Sequence, residues 1–453
     1  MLNLARFARR PLDLLLAWHA RYGDVFTVRF PGFGTGVYVA DLSAIRALFS
    51  GDQADLRAGE ANSIMEPVVG GHSVLVLDGP QHLRQRRLLL PPFQGAHVSK
   101  FRETIREVAE REVSTWRVGE RLVVRERMRA LTFEVICRAV FGVSEPERVE
   151  RLKAALMAVM DTGSVFLASR ALRADLGPLS PGGRLSRRLR GADVLLYEEI
   201  RARRGAADLE QRSDVLSLLL RARDEEGRTM SDEELRDELF TMLAAGHETT
   251  ATGLAFAVDQ LIRDRRVLGR LREELADAGD VYLEATVKEA LRMRPVLDAA
   301  QRTLAEPREV AGWTLPRGLR VYPAIAVVHH RADLYRRPEA FRPERFIEEG
   351  AESYAWLPFG GGVRRCIGAA LAQAEMAEVL RVVLGRCELE PERGRPDPVV
   401  MRGIILAPKY GVPVRVLRRD PHRGAMPAAG GSEHRLQPAR THLVGADDFA
   451  TQG

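Results

Sequence analysis

Cysteine, lysine and long hydrophobic runs are scarce in this 453-residue chain, and each scarcity excludes a class of protein. Three cysteines without a CxxC pair argue against a disulfide framework or a zinc ribbon, and they favour a reduced, cytoplasmic setting. Residues 12–18 are apolar but far shorter than the roughly 20 residues that cross a bilayer, so we expect neither a membrane anchor nor a signal peptide. A net charge of +6, with only four lysines, does not indicate nucleic-acid binding.

The chain also lacks a clear division into domains. No long run of proline and glycine interrupts residues 1–415, so we predict one large, mostly helical domain over residues 1–417. Residues 418–453 are rich in Pro, Gly, Ala and charge and contain one aromatic residue. This composition predicts a disordered tail.

Several local patterns predict secondary structure. Residues 11–22 are typical of a short amphipathic helix, and residues 25–40 of a β-hairpin. Ser231 begins a Ser-x-x-Glu capping box, followed by an apolar-periodic run without proline to about Arg265. A helix of that length would span roughly 50 Å and could cross the whole domain. Further helices are predicted at about 282–293 and 369–385, with strands and turns at 296–326 and 386–417.

The most informative segment is residues 359–368, FGGGVRRCIG, which contain Cys366. A single cysteine in a glycine-rich loop suits a thiolate that binds a metal, because glycine allows close approach to a cofactor. Free backbone N–H groups can also hydrogen-bond the sulfur. The alternative is a buried structural cysteine, the interpretation that we prefer for Cys137 and Cys387.

A second segment, AGHETT at residues 245–250, lies within the predicted long helix. Glycine inside a helix costs up to about 1 kcal/mol relative to alanine, and threonine hydroxyls can bond helical carbonyl groups. These features predict a functional groove at Ala245 and Gly246, with Glu248 and Thr249 beside it. The alternative is an exposed acid and a core threonine.

Together the motifs resemble those of the cytochromes P450, the haem-thiolate monooxygenases, in their soluble bacterial branch. The loop matches Phe-x-x-Gly-x-Arg-x-Cys-x-Gly, and AGHETT matches the oxygen-side motif of the family. Glu-x-x-Arg at residues 289–292 and Pro-Glu-Arg-Phe at residues 343–346 follow in the family's order. The resemblance covers about residues 20–417.

This resemblance implies a mainly α fold with small β-sheets, in which a long central helix passes over haem b (iron protoporphyrin IX). Cys366 would be the axial thiolate ligand of the iron, in a loop framed by Phe359 and Gly368. A thiolate ligand favours O–O cleavage. Glu248 and Thr249 would be the acid–alcohol pair that delivers protons, which requires groups within hydrogen-bond reach.

The resemblance also assigns charged residues. His82 and Arg86, spaced i, i+4 on one helix face, would bind the haem propionates together with Arg302 and Arg364. Glu289, Arg292 and Arg345 would form a buried triad that locks the cysteine loop. For each arginine the alternative is an ordinary solvated face.

The implied function is insertion of one atom of O2 into a lipophilic small molecule, by hydroxylation or epoxidation, with a fatty-acid- or terpenoid-like substrate. Substrate contacts are expected in residues 60–75, 160–180 and 244–249, and at Val296 and Leu297. Because the chain ends soon after the cysteine loop, we expect electrons from a separate ferredoxin and an NAD(P)H-dependent ferredoxin reductase. An arginine-rich surface near Cys366, with Arg84, Arg87 and Arg365, would receive the ferredoxin.

Two other functions remain open at this point. One is a peroxide-using enzyme of the same fold, which typically lacks an acid–alcohol pair. The other is a non-catalytic haem sensor, which would need Cys366 but neither Glu248 nor Thr249.

Overall fold

A computed structural model gives the structure of the chain and describes residues 2–30, 34–52, 54–143, 145–166, 174–177, 179–349 and 354–420. Its helices are α1 (Leu2–Arg9), α2 (Pro11–Tyr22), α3 (Leu42–Ser50), α4 (Ala58–Asn62), α5 (Glu66–Val69), α6 (Gly79–Leu89), α7 (Gly95–Ser114), α8 (Val124–Phe141), α9 (Pro146–Phe166), α10 (Pro181–Arg204), α11 (Val215–Arg221), α12 (Asp232–Leu261), α13 (Arg265–Ala276), α14 (Val281–Met293), α15 (Ile325–Val328), α16 (Arg345–Glu348) and α17 (Ala369–Arg386). The fold is therefore mainly helical, as predicted.

The strands are short and form four small sheets. They are β1 (Val25–Phe30), β2 (Gly34–Val39), β3 (Leu56–Arg57), β4 (Arg121–Val123), β5 (Arg302–Leu304), β6 (Arg308–Val310), β7 (Trp313–Leu315), β8 (Arg320–Pro323), β9 (Cys387–Pro391), β10 (Val399–Arg402), β11 (Ile405–Pro408) and β12 (Pro413–Arg419). The largest sheet has the order β1-β2-β8-β5-β3, in which β1 and β2 form the predicted hairpin and β2 pairs with β8 in parallel.

Helix α12 is the centre of the helical core. It packs most extensively on α8 and also contacts α10, α14 and α17. Twenty of its residues are buried, because a helix surrounded by others is apolar on nearly all sides. The Ser231 hydroxyl accepts a hydrogen bond from the Glu234 N–H, and the Glu234 side chain accepts one from the Ser231 N–H, so the predicted capping box is confirmed.

The predicted end of this helix, about Arg265, was too late. Helix α12 ends at Leu261, and the Asp264 side chain accepts a hydrogen bond from the Val267 N–H at 3.0 Å, which caps α13. The apolar period continues through both helices, so periodicity alone merges them. At 30 residues, α12 still spans roughly 45 Å.

A second core lies under the sheet that contains β1 and β2, where α2, α3 and α15 bury their apolar faces. This half of the molecule brings Phe49, at the end of α3, against the loop before α17. Among the described residues every helix is too short or too polar to cross a bilayer.

The predicted boundary near residue 417 falls inside β12, which pairs with β9 as far as Arg419 opposite Cys387. Residues 421–453, where the disordered tail is predicted, lie outside the described residues. The one-domain boundary and the tail therefore stay predictions.

Candidate active site

The loop that carries Cys366 runs from Trp356 to the start of α17 and owes its shape to glycines. Gly360 and Gly362 have φ of +67° and +63°, in the left-handed region that disfavours other residues. The Cys366 N–H donates a hydrogen bond to the Phe359 carbonyl oxygen at 2.9 Å. The loop therefore folds back on itself and fixes the position of the cysteine.

Phe49 gives a steric reason for glycine at Gly361, whose φ is not positive, and a second reason for it at Gly362. A Cβ atom on Gly361 would lie 2.6 Å from the Phe49 ring, and one on Gly362 would overlap the Phe49 carbonyl oxygen. Both positions must be glycine for the loop to sit this close to α3.

The Cys366 side chain is accessible, whereas Cys137 and Cys387 are buried in the core. Protein atoms nevertheless surround Cys366 closely enough that burial raises the pKa of its thiol, while the Gly368 N–H and Arg365 lower it. Accessibility is the property that a ligand needs, and among the three cysteines Cys366 alone has it. Burial raises the pKa of Cys387 to about 11, so that residue stays an inert thiol.

Four predicted propionate partners converge beside this loop: His82 and Arg86 on α6, Arg302 on β5 and Arg364 in the loop itself. His82 is 1% exposed, and burial together with repulsion from the three arginines lowers its pKa to about 3. Burial also lowers the pKa of Arg302 and that of Arg364 to about 10. Burial and the repulsion between neighbouring cations both lower these pKa values. The lowered values indicate a concentration of positive charge that the protein only partly compensates.

Asp78 supplies the compensation, with its Oδ1 atom 2.6 Å from Arg364 Nη2. The His82 Nδ1 atom and the Arg364 Nε atom are buried without a hydrogen-bond partner among the described residues. Buried unpaired donors are costly and usually mark a ligand or an ion. The cluster therefore fits the two carboxylates of a haem bound against Cys366.

The cluster also ties the loop to the segment before α6. Arg364 donates hydrogen bonds to the carbonyl oxygens of Val74, at 3.1 Å, and Leu77, at 2.5 Å, and Arg86 donates one to the Arg365 carbonyl at 2.7 Å. The same arginines thus combine a structural role with the predicted binding role.

On α12 the predicted acid and alcohol occupy successive positions. The Thr249 hydroxyl donates to the Ala245 carbonyl oxygen at 2.6 Å, which confirms the helical back-bonding expected of threonine. Glu248 is 14% exposed and forms ion pairs with two arginines of α8, Arg125 and Arg129, the latter at 2.7 Å. The acid is therefore anchored at a defined place.

Sequence reasoning missed Arg125 and Arg129. Their i, i+4 spacing on α8 places them on one helix face, which was a usable signal. With 64 arginines in the chain, however, that spacing recurs often by chance. Only the packing of α8 on α12 shows which acid they reach.

Gly246 lies on the side of α12 that faces α8. A Cβ atom at this position would lie 2.9 Å from the Cδ1 atom of Ile136, so α8 and α12 cross in close contact there. Residues Asp232–Leu261 form an uninterrupted α-helix in which Ala245 is exposed, and the functional groove at Ala245 and Gly246 stays a prediction. His247 is 1% exposed and packs edge-on against Phe133, as a structural residue does.

The structure brings the predicted triad together. Glu289 Oε2 lies 2.7 Å from Arg292 Nε and 3.0 Å from Arg345 Nε, and the three side chains are at most 2% exposed. Arg292 also donates to the His329 carbonyl oxygen at 2.6 Å, and the His329 ring accepts the Leu357 N–H at 2.8 Å. A chain of bonds therefore leads from the triad to the base of the cysteine loop.

The predicted substrate contacts are only partly described. Residues 167–173 and 178 lie outside the described residues, so the 160–180 segment cannot be placed. The segment near 72–74 is tied to α12 through Asp237 and Glu238, which accept hydrogen bonds from the N–H groups of His72, at 2.9 Å, and Val74, at 2.7 Å. Val296 is 9% exposed and accepts a hydrogen bond from the Leu406 N–H at 2.8 Å.

Two of the arginines predicted to receive a ferredoxin are already paired. Arg84 contacts Asp224 and Glu234 at 2.6 Å, and Arg87 contacts Glu225 at 2.5 Å. Arg365 is exposed. The positive surface near Cys366 is therefore smaller than the sequence suggested.

The family model described as "Cytochrome P450" matches residues 1–412. Putative cytochrome P450 135B1 of Mycobacterium tuberculosis (strain ATCC 25618 / H37Rv) is 41% identical over 418 residues, which cover 90% of this chain and 88% of that protein. Putative cytochrome P450 135A1 of the same strain is 35% identical over 407 residues, covering 89% and 90%.

Solved structures show the same fold. The crystal structure of the cytochrome P450DA heme domain superposes with a TM-score of 0.82 at 24% identity, covering 93% of this chain and 96% of that one. Retinoic acid bound cyanobacterial CYP120A1 superposes with a TM-score of 0.76, also at 24% identity, covering 88% and 93%. At this identity the likeness concerns the fold.

Proposed function

The chain belongs to the cytochrome P450 family of haem-thiolate monooxygenases, and on that premise we propose that Cys366 is the haem ligand of an enzyme that oxygenates a lipophilic small molecule. The observation that carries this assignment is the cationic cluster of His82, Arg86, Arg302 and Arg364, which faces an accessible cysteine and retains unpaired buried donors. A haem supplies both a metal for the thiolate and two carboxylates for the cations.

Haem contributes the activation of O2 when it is bound to a thiolate, as in the rest of the family. The chain's own residues position it. The Gly368 N–H hydrogen-bonds the Cys366 sulfur and stabilises the thiolate form. Arg86, Arg302 and Arg364, together with the neutral His82, would bind the two propionates, and desolvation makes each contact stronger than on the surface.

Proton delivery falls to Glu248 and Thr249. The Glu248 carboxylate accepts a proton at Oε1 or Oε2 and passes it on, and Arg125 and Arg129 fix the position of this side chain. The Thr249 Oγ1 atom donates to Ala245 and keeps its lone pairs, so it can accept a hydrogen bond from a water on the proton path. Proton transfer requires that the donor and the acceptor lie within hydrogen-bond reach, directly or through a water. We therefore assign the acid role to Glu248 and the water-binding role to Thr249.

The proposed substrate is a fatty-acid- or terpenoid-like molecule that is hydroxylated or epoxidised. One of the relatives of similar fold is described as retinoic acid bound, which is a lipophilic carboxylic acid. Electrons are proposed to come from an external ferredoxin and its NAD(P)H-dependent reductase, with Arg365 at the contact surface.

The deciding experiment is the carbon monoxide spectrum of the reduced protein, recorded for the parent, for Cys366→Ser and for Cys387→Ser. We expect a red-shifted Soret band in the parent and in Cys387→Ser, and its loss in Cys366→Ser. A spectrum typical of histidine ligation in the parent, or an unchanged band in Cys366→Ser, would contradict the assignment. The Cys387→Ser control separates ligation from the general effect of losing a buried thiol.

A further inference from the structure

A cavity of about 600 Å³ lies apart from the Cys366 site, between the N-terminal helices and the β10–β11 hairpin. Helices α1 and α2 pack on β10 and form one wall, and the segment before β10 forms the other. Arg294, the residue that follows α14, closes its base. None of the cations assigned to the haem lines this cavity.

The charge in the walls is unbalanced. Four cations and two carboxylates line the cavity, a net charge of +2, and they are Arg9, Arg10, Arg294, Lys409, Asp13 and Asp397. Both oxygens of Asp397 are already committed to backbone donors, since they accept the N–H groups of Tyr410, at 3.0 and 3.1 Å, and Val412, at 2.8 Å. Asp397 therefore has little capacity left to pair with a cation in the cavity.

Among the four cations of the cavity, Arg294 is the one most affected by the lack of a free carboxylate. It is half-buried, and desolvation lowers the pKa of its guanidinium group. It forms neither a hydrogen bond nor an ion pair with any described residue. The nearby Asp259 is occupied by Arg263, at 2.8 Å, and by the Asp397 N–H, at 2.9 Å. A half-buried guanidinium group without a protein partner is available to an anion that enters the cavity.

The remaining walls are apolar. Side chains of Leu12, Val399 and Val400, with Pro396 and Pro398, line the same space. A pocket of this volume holds a drug-sized molecule, and a few placed polar groups among apolar walls fix its orientation. The planar guanidinium fork matches a carboxylate in two parallel hydrogen bonds.

We propose that this cavity binds an amphipathic carboxylate, with its anionic group on Arg294 and its hydrocarbon part against Leu12 and the β10–β11 hairpin. The site is separate from the proposed haem site and does not depend on it. The hairpin connects the two regions, because Val399 packs against Phe256 of α12 and Leu406 bonds the Val296 carbonyl. A ligand on the hairpin would therefore contact an element that touches the central helix.

Isothermal titration calorimetry of the full-length holoprotein with dodecanoate and with dodecanol tests the proposal. Both titrations are run with 4-phenylimidazole present, so that a ligand on the haem side is blocked. We expect dodecanoate to bind one site and dodecanol to bind at least about tenfold more weakly, as loss of a charged hydrogen bond implies. Equal affinity for the alcohol would overturn the assignment of Arg294.

Variants locate the site. Arg294→Gln should weaken dodecanoate binding about tenfold or more, Arg294→Lys should restore part of it, and the exposed neighbour Arg395→Gln should leave it unchanged. If Arg294→Gln does not fold, Lys409→Gln at the exposed rim serves instead, with an expected loss of about threefold. Unchanged binding in the folded Arg294 or Lys409 variant would sink the proposal.

Competition with inorganic phosphate distinguishes a simple anion site from a site that also binds the hydrocarbon chain. Phosphate that displaces dodecanoate at similar concentration would show a simple anion site and would overturn the amphipathic part of the proposal. Failure of phosphate to compete supports it. The Arg294 and Lys409 variants change this cavity and leave Cys366 intact, whereas the carbon monoxide spectrum reports on Cys366, so failure here and failure of the proposed function are distinguishable.

Discussion

At the scale of single residues, the candidate site concentrates charge that the protein only partly pairs. His82, with its pKa lowered to about 3, is neutral at physiological pH and lies among three arginines. Glu248 in contrast is held by two cations of a neighbouring helix. The first arrangement suits the binding of an anion, and the second suits an acid that must stay in one place.

Glu248→Gln tests the proton role directly. The amide keeps the size of the side chain but cannot carry a proton, so we expect product formation to fall about 10²-fold or more. Measured oxygen consumption should continue without matching product. The surface variant Glu150→Gln, which loses only an exposed contact with Lys153, should behave as the parent does. Full product yield in Glu248→Gln would assign the proton path to other groups.

Gly361→Ala tests the contact between α3 and the cysteine loop. The added methyl group would meet the Phe49 ring at 2.6 Å, so we expect the free energy of unfolding to fall by about 1–3 kcal/mol. Gly385→Ala is the control, since nothing lies within 4 Å of a Cβ atom there and a helix prefers alanine. Phe49→Leu combined with Gly361→Ala should recover part of the loss in urea unfolding, and no recovery would count against this contact.

At the scale of secondary-structure elements, buried carboxylates join parts that are distant in the sequence. Glu289 joins α14 to α16 and, through Arg292 and His329, to the cysteine loop. Glu238 joins α12 to the segment before α6 through the Val74 N–H. The first carboxylate is fully paired, whereas the second retains one buried oxygen without a partner.

Glu289→Gln should destabilise the protein strongly. Arg292 and Arg345 would then remain buried without the carboxylate that balances their charge. Breaking a buried ion pair in this way lowers the free energy of unfolding by about 3–5 kcal/mol. Urea unfolding at pH 7 measures the loss. Glu284→Gln removes an exposed carboxylate from the same helix and should change the unfolding free energy by no more than about 0.5 kcal/mol.

Glu238 predicts a pH dependence of stability. Burial raises its pKa well above 4.5 in the folded state, so its contribution to stability is complete below the unfolded pKa and is lost as the pH rises through the folded value. Glu238→Gln cannot ionise, so its stability relative to the parent should increase between pH 5 and pH 8. The pKa of exposed Glu233 on the same helix is lowered instead, so its contribution changes only below its unfolded pKa, and the stability of Glu233→Gln relative to the parent should stay nearly constant between pH 5 and pH 8. A pH-independent difference for Glu238→Gln would contradict the argument.

At the scale of the whole molecule, two cores meet at the candidate site. The helical core supplies α12 with Glu248 and Thr249, while the sheet-rich half supplies β5 with Arg302 and α3 with Phe49. The loop with Cys366 lies where these halves touch. Cofactor and ligand sites commonly form at such junctions.

The proposed ferredoxin contact depends on the charge of the protein surface near Cys366. Arg365 is exposed near Cys366, whereas Arg87 is paired with Glu225. We expect reduction by an acidic ferredoxin to slow as ionic strength rises, and Arg365→Glu to slow it further, while Arg87→Glu has a smaller effect. Stopped-flow reduction at several salt concentrations measures this. A rate independent of salt and of Arg365 would direct the search to another surface or another donor.

The sequence by itself determined the elements that depend on neighbouring residues: the capping box at Ser231, the β-hairpin within residues 25–40 and the single cysteine among loop glycines. Such features rest on local hydrogen bonds and steric limits, which a few consecutive residues fix. The predicted end of α12 was wrong because α12 and α13 share one apolar period, which does not show where the first helix ends.

Tertiary structure alone decided which distant charges meet. It selected Arg125 and Arg129, among 64 arginines, as the partners of Glu248, and it paired Arg84 and Arg87 with acids. It also gave Gly246 and Gly361 protein neighbours, Ile136 and Phe49, and enclosed Arg294 in a cavity. Burial and charge pairing depend on how helices and sheets pack, and a linear pattern does not specify that packing.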